Sequence, residues 1–194
     1  MRMRKEAIII TEKIEDSGIR NQIWEIYKKS FTGTEIACAQ NQKCYTEDSF
    51  NAALVDPDYF KYYLEIDGKV IAYMLATANL QKASITYMNP ERYCFLFPEY
   101  APDRIFYFTS LAVGEKNSFR YLFKLITEGL LHIAGKNGIW AYDFSHETVS
   151  NLGSGLIAIA AKLHEQGKFP YKLIYKKVGA QEFGAMVPEK KSTE

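Results

Sequence analysis

The stretch from Thr109 to Arg120, "TSLAVGEKNSFR", gathers residue types that can hold an anion. Thr109 and Ser110, in the apolar run before the turn, read as ordinary strand hydroxyls; Gly114 and Glu115 follow, and then come Lys116, Asn117, Ser118 and Arg120. Phe119, Leu122, Phe123, Ile126, Leu130 and Ile133 form one apolar stripe, which predicts a helix from about Ser118 to Gly135. The first N–H groups of such a helix have no partner within it, and its dipole favours negative charge at that end. Lys116 and Arg120 supply cations, and a guanidinium can grip a phosphate through two parallel hydrogen bonds. Against an anion stand the carboxylate of Glu115 and the bulk of Phe119 and Tyr121, where glycine would admit a ligand to the backbone. The same residues also compose a plain strand-to-helix turn, capped by Asn117 or Ser118 with Lys116 and Arg120 solvated. Both readings stay open on spacing alone.

Other chemistries find less support. His132, His146 and His164 do not fall at metal-ligand spacings with one another or with cysteines, so no metal is expected. Cys38, Cys44 and Cys94 are an odd number without framework spacing and read as free thiols in a reducing compartment. "GSGLIA", Gly153 to Ala158, matches a loose dinucleotide fingerprint, but several residues separate it from the strand before it and no acid follows at the expected distance. It reads as a helix start with small residues for close packing. Tyr62, Tyr63, Tyr93 and Tyr100 could stack bases, yet a net charge of +1 gives no footprint for nucleic acid or an anionic membrane.

The elements that must position these residues are legible along the chain. At 194 residues, 47% apolar and 24% charged, the sequence fits one domain spanning 1–194, with 189–194 a polar tail. "EAIIITEKI" (Glu6 to Ile14) predicts a strand. "DSGIRNQIWEIYKKSF" predicts a helix capped by Asp16 or Ser17, and "TEDSFNAALVD" a short helix begun by Thr46. "YYLEIDGKVIAYMLATA" predicts a hairpin turning at Asp67-Gly68. A long aromatic connection follows, in which Pro90, Pro98 and Pro102 argue against a long regular element. Next come a strand over Arg104 to Val113, the helix to Gly135 closed by "KNG", and the strand "IWAYDFS". A helix ending at Gly167 and two closing strands complete the order. The strands joined by the 118–135 helix should run parallel and most others antiparallel, in one mixed α/β sheet with helices on its faces. No apolar segment approaches the roughly 20 residues that span a bilayer, and the basic start lacks a signal peptide's apolar run. A soluble cytoplasmic protein is expected.

With those lengths, the order resembles the GCN5-related N-acetyltransferase superfamily over nearly the whole chain. The residues that carry the likeness are "LEIDGKVIAYML", "TSLAVGEKNSFRYLFKLITEGLLHIAGKNG" and "AKLHEQGKFPYKLIYKKV". Members have a hairpin, a strand ending Leu-Ala-Val, and a glycine-rich turn and helix that bind the pyrophosphate of acyl-coenzyme A. A later helix ends Leu-Tyr-x-x-x-Gly-Phe. Here Leu163 and Phe169 keep that spacing, the glycine moves by one to Gly167, and His164 stands in the tyrosine's place. The turn departs further, since Gly114 to Arg120 lacks the family's glycines.

The resemblance implies transfer of an acetyl or other acyl group from acyl-coenzyme A, as cosubstrate, to a small amine. His164 would be the acid for the departing thiolate. Backbone amides of Leu111, Ala112 and Val113 would contact the thioester and pantetheine, and Lys116, Asn117, Ser118 and Arg120 the phosphates. Glu65, Glu91, Glu99 and Asp103 are the carboxylates from which a base would be drawn. A looser likeness to acyl-homoserine-lactone and N-acyl amino acid synthases would make an acyl carrier protein the donor and Tyr87–Tyr100 an acyl-chain groove. A catalytically silent ligand-binding module of the same fold is the third alternative, and a homodimer is compatible with any of them.

Overall fold

The computed structural model describes residues 5–31, 44–83, 91–114, 119–142, 161 and 164–167. Strand β1 (Glu6–Thr11) leads into helix α1 (Ser17–Phe31), and α2 (Glu47–Val55) precedes the hairpin of β2 (Tyr59–Ile66) and β3 (Lys69–Thr77). A short helix α3 (Glu91–Leu96) and a 3-10 turn (Pro102–Arg104) lead to β4 (Ile105–Val113), α4 (Phe119–Gly135) and β5 (Ile139–Ala141). The five strands form one sheet in the order β1-β2-β3-β4-β5, antiparallel throughout except for the parallel β4–β5 pair. This is the mixed, mostly antiparallel sheet with one parallel pair that the sequence implies.

Local chemistry sets the element ends. Asp16 Oδ1 accepts from the N–H groups of Gly18 at 2.7 Å and Ile19 at 3.1 Å, so aspartate rather than Ser17 caps α1. Thr46 and Ser49 close a reciprocal capping box on α2. Asp67 and Gly68 both take positive φ, 51° and 82°, as the predicted hairpin turn requires. At the end of α4 the N–H of Gly138 reaches Ile133 O at 3.0 Å and that of Asn137 reaches Ala134 O at 2.9 Å. Asn137 carries the left-handed φ of 52° in this cap. Gly138 serves a different need: a Cβ there would lie 2.6 Å from the Phe106 ring and 2.9 Å from Arg104 O.

Both faces of the sheet are covered, which explains why β2 and β3 read as nearly continuous apolar runs. Tyr62, Leu64, Met74, Ala76, Phe106 and Phe108 pack with Leu125, Ile126 and Ile133 of α4. Tyr63, Tyr73, Leu75 and Ala112 pack with Ile23, Ile26 and Tyr27 of α1 and with Phe50 and Leu54 of α2. Tyr93, Ile105, Tyr107 and Ala141 form a third cluster beside α3. Lys61 is buried at 1% exposure, its ammonium held by the carbonyls of Glu12 (2.6 Å), Tyr59 (2.8 Å) and Asp56. These bonds tie the end of β1, the end of α2 and the start of β2 together.

Several expectations need correction. β1 ends at Thr11, not Ile14; Ile14 leaves the strand because its N–H bonds Leu54 O at 3.0 Å and its side chain joins the α1–α2 core. The aromatic connection carries the six-residue α3 between Pro90 and Pro98, short as its prolines imply. β5 stops at Ala141 and Tyr142 is not in a strand, while the rest of the predicted strand lies outside the described residues. Ala161, His164 and Glu165 are helical, and Gly167 has a φ of 66°, consistent with a helix ending there. Cys38, His146, "GSGLIA" and the two closing strands lie outside the described residues. No described helix is long and apolar enough to cross a membrane.

Candidate functional site

β4 has two dissimilar halves. Ile105, Phe106 and Tyr107 lie opposite Ile139, Trp140 and Ala141 of β5, and pairing with β3 begins at Tyr107, opposite Thr77. Beyond Tyr107, β3 is its one strand partner among the described residues. On the β3 side Leu75 faces Ser110 and Ala76 faces Phe108, which leaves Thr109 as an inserted, unpaired position. The bulge reverses the side-chain alternation. Phe106 and Phe108 point to the α4 face before it, and Leu111 and Val113 point there after it. The backbone of Leu111, Ala112 and Val113 thus follows a bulge and leads directly to the turn before α4.

That turn is anchored from α1. Gly114 N–H donates to Ile71 O at 2.8 Å, and a Cβ on Gly114 would come within 3.3 Å of the Ile26 side chain. Lys29, in the last turn of α1, donates to Gly114 O at 3.3 Å. An ammonium therefore stands beside the turn that sequence reasoning missed, because nothing local in "EIYKKSF" predicts which strand end α1 lies against. Arg120 is exposed on the first turn of α4; its guanidinium lies 4.5 Å from the centroid of the Tyr121 ring and donates to the Tyr121 hydroxyl. Tyr121 is buried at 9% exposure, so it packs as core and leaves Arg120 at the surface. Lys116, Asn117 and Ser118 lie outside the described residues, as does Glu115.

The two hydroxyls of "TSL" have different fates. Ser110 is buried and shares a 2.6 Å hydrogen bond with the hydroxyl of Tyr73 on β3. Desolvation holds that phenol well above its ordinary pKa, so the pair is a neutral structural contact. The hydroxyl of Thr109 is buried without a hydrogen-bond partner. So is the indole N–H of Trp140, whose ring stacks on Phe108 at 3.8 Å between centroids.

Among the carboxylates considered as bases, Glu91 and Asp103 line one cleft of about 760 Å³ at the opposite end of β4, together with Asp58, Asn79, Arg104 and Lys136 around Phe60 and Phe106. Asp58 is held below the usual carboxylate range by the Lys82 ammonium at 2.9 Å and by Asn79, which makes it a poor base. Glu65 is remote from this cleft, opposite Ala7 and Val70 near the hairpin turn. Glu99 is exposed in the turn after α3. His164 is half-buried in the last helical turn before Gly167, whose N–H bonds His164 O at 2.9 Å. In the aromatic segment Tyr93 is buried, Phe97 and Tyr100 pack against the same cluster, and Phe95 is 80% exposed. Cys44 and Cys94 are half-buried, and the Cys44 thiol lies 4.0 Å from Phe31 O. No group of three or more described His, Cys, Asp and Glu residues is placed to hold a metal ion.

No family model and no curated protein matches the chain. Solved structures do resemble it. Over 97% of its length it is similar to 97% of the aminoglycoside acetyltransferase meta-AAC0020 from an uncultured soil metagenomic sample, in complex with sisomicin, at 12% identity and a TM-score of 0.48. Over 99% it is similar to 98% of aminoglycoside N-acetyltransferase AAC(6')-Iy in complex with CoA, at 13% identity and a TM-score of 0.46. Over 92% it is similar to 99% of a possible acetyltransferase from Clostridium difficile 630, at 13% identity and a TM-score of 0.44. All three carry the name acetyltransferase. At such identities and scores they assign no substrate to this chain.

Proposed function

We propose that this chain is an N-acyltransferase that moves an acetyl or other acyl group from acyl-coenzyme A to a small amine. The support comes chiefly from β4, which pairs with β5 over Ile105–Tyr107, bulges at Thr109 and then delivers Leu111–Val113 to the N-terminal end of α4. A ligand lying along that strand finds backbone amides for its carbonyls and a helix N-terminus with flanking cations for its phosphates. Lys116, Asn117, Ser118 and Arg120 are the proposed phosphate contacts, joined by Lys29 from α1.

The acceptor is assigned to the cleft at the other end of β4, where Glu91 or Asp103 can take the ammonium proton. The amine nitrogen then attacks the thioester carbonyl carbon, the carbon–sulfur bond breaks, and the thiolate takes a proton from His164. Replacing His164 with phenylalanine should slow thiol release without weakening coenzyme A binding.

Calorimetric titration with acetyl-coenzyme A, dephospho-coenzyme A and a long-chain acyl-coenzyme A tests the donor. Micromolar binding of acetyl-coenzyme A that weakens at least tenfold in Lys116→Ala/Arg120→Ala supports the cradle, since charge-assisted contacts to phosphate are the strong ones. Heat with the long-chain form alone turns the assignment toward lipid-chain donors. No heat with any of the three removes coenzyme A from the proposal.

A further inference from the structure

The cleft at the start of β4 combines an apolar floor with a rim of both charges. Phe60 and Phe106 lie 5.7 Å apart between ring centroids, and Ala78 and Leu80 continue the apolar surface. Arg104 and Lys136 form one cationic corner, joined because Arg104 Nη1 donates to Lys136 O at 2.9 Å. Asp58, Glu91 and Asp103 supply the carboxylates, and Lys82 answers the charge of Asp58 at 2.9 Å. Three carboxylates thus meet three cations, a balance with no surplus to draw a polycation or a polyanion. Lys136 stands apart within it. Among the described residues no carboxylate lies at ion-pair distance from its ammonium, which is instead over the Phe60 ring, 4.9 Å from the centroid. An exposed cation–π contact of this kind is weak, so the side chain can leave the ring for an anion.

We infer that the acceptor is an aromatic amino acid, whose ring packs on Phe60 where Lys136 now stands and whose carboxylate is met by the Lys136 ammonium and the Arg104 guanidinium. The inference rests on the acceptor assignment above and names its substrate class. One movement of a flexible side chain uncovers the ring and delivers the charge. Aromatic rings favour offset or edge-on packing against another ring, and a guanidinium beside the ammonium can take a carboxylate through two hydrogen bonds. The α-ammonium is left to Glu91 or Asp103, the two carboxylates proposed to take its proton. An amine without a carboxylate leaves Lys136 with no anion to meet. An amino acid without a ring leaves the floor of Phe60 and Phe106 in water.

The test titrates the full chain calorimetrically, alone and with saturating coenzyme A. The probes are L-phenylalanine, 2-phenylethylamine (no carboxylate), glycine (no ring) and spermidine (a polycation). Thiol release from acetyl-coenzyme A is read with the same four amines. Wild type should bind L-phenylalanine at least about tenfold more tightly than 2-phenylethylamine or glycine, the worth of a charge-assisted contact, and release thiol fastest with it. Lys136→Met keeps an apolar side chain beside Phe60 and removes the charge. In it L-phenylalanine should fall to within about threefold of 2-phenylethylamine, whose own affinity stays at the wild-type value. Equal binding of those two by wild type, a preference that Lys136→Met retains, or tightest binding or fastest release with spermidine overturns the substrate class and leaves the acyl-coenzyme A reading standing. So does the absence of heat with every amine in a chain that binds coenzyme A. Binding of L-phenylalanine with no thiol release from any amine overturns the acyl-transfer reading and the acceptor role with it. If coenzyme A itself gives no heat, the donor reading fails, while the titrations of the free chain still decide what the cleft holds.

Discussion

The two halves of β4 share a strand and differ in everything that decides function. Ile105 to Phe108 are buried, joined to β5 as far as Tyr107 and to β3 from Tyr107 on, and locked by rings: Phe106 meets Phe60 at 5.7 Å and Phe108 stacks on Trp140. Thr109 to Val113 begin with a bulge, keep one described strand partner and carry a hydroxyl without a bond. In the proposed function the first half serves the sheet and the second the ligand. The proposed function would thereby separate stability and binding along nine residues of one strand.

The separation can be attacked from the stable side first, where the largest effects are expected. Phe106→Ala should lower stability by about 3–5 kcal/mol, as large-to-small core substitutions do, and the melting temperature by about 10 °C. Gly138→Ala pushes a methyl into the Phe106 ring and the Arg104 carbonyl, at a cost of about 1–3 kcal/mol. Neither should change the coenzyme A affinity of the folded molecules more than about twofold, as urea unfolding and calorimetry on the same samples would show. A large loss of affinity at full stability would mean that the halves are not separate.

The opposite signature is expected at the binding end. Lys29→Ala removes an exposed ammonium that donates to the Gly114 carbonyl. It should weaken coenzyme A binding about two- to fivefold, less at high salt, and leave the urea midpoint unchanged. An unchanged affinity would place Lys29 outside the phosphate field.

How far the sequence showed this division depends on the distance over which each signal acts. The hairpin was legible because Asp67-Gly68 states its own turn, and α4 because its apolar stripe is periodic over the whole helix. The parallel pair followed from connecting two strands through a helix. The bulge was not legible, since "TSL" has no residue type that marks an insertion, and Thr109 and Ser110 differ only in what lies opposite. Ser110 is satisfied because the bulge turns it to the face where Tyr73 waits, a contact 37 residues away in sequence. Lys29 was missed for the same reason, its partner lying 85 residues on. The roles of Lys116 to Ser118 and of His164 remain proposals that rest on the resemblance.

The smallest effect expected is a pH dependence confined to the stable side. His132, on the last turn of α4, shares a 2.8 Å hydrogen bond between its Nδ1 and the Tyr62 hydroxyl and stands edge-on to the rings of Phe60 and Tyr62. Burial pushes its pKa below the ordinary 6.5, and the nearby Lys136 ammonium pushes the same way, against a weaker opposite pull from Glu12. As pH falls, the unfolded chain therefore takes up this proton before the folded one does. The contribution of the neutral ring is fully present above pH 6.5 and declines as pH drops from there toward the depressed folded value. His132→Gln, which keeps a polar partner for Tyr62, should flatten the slope of unfolding free energy between pH 7 and 5 relative to wild type. Because the ring packs against β2 at the end of the sheet remote from Gly114, coenzyme A affinity should respond to pH equally in the two proteins. A change in that response in His132→Gln would show that α4 transmits charge from its last turn to its first, and would join the two halves that the structure keeps apart.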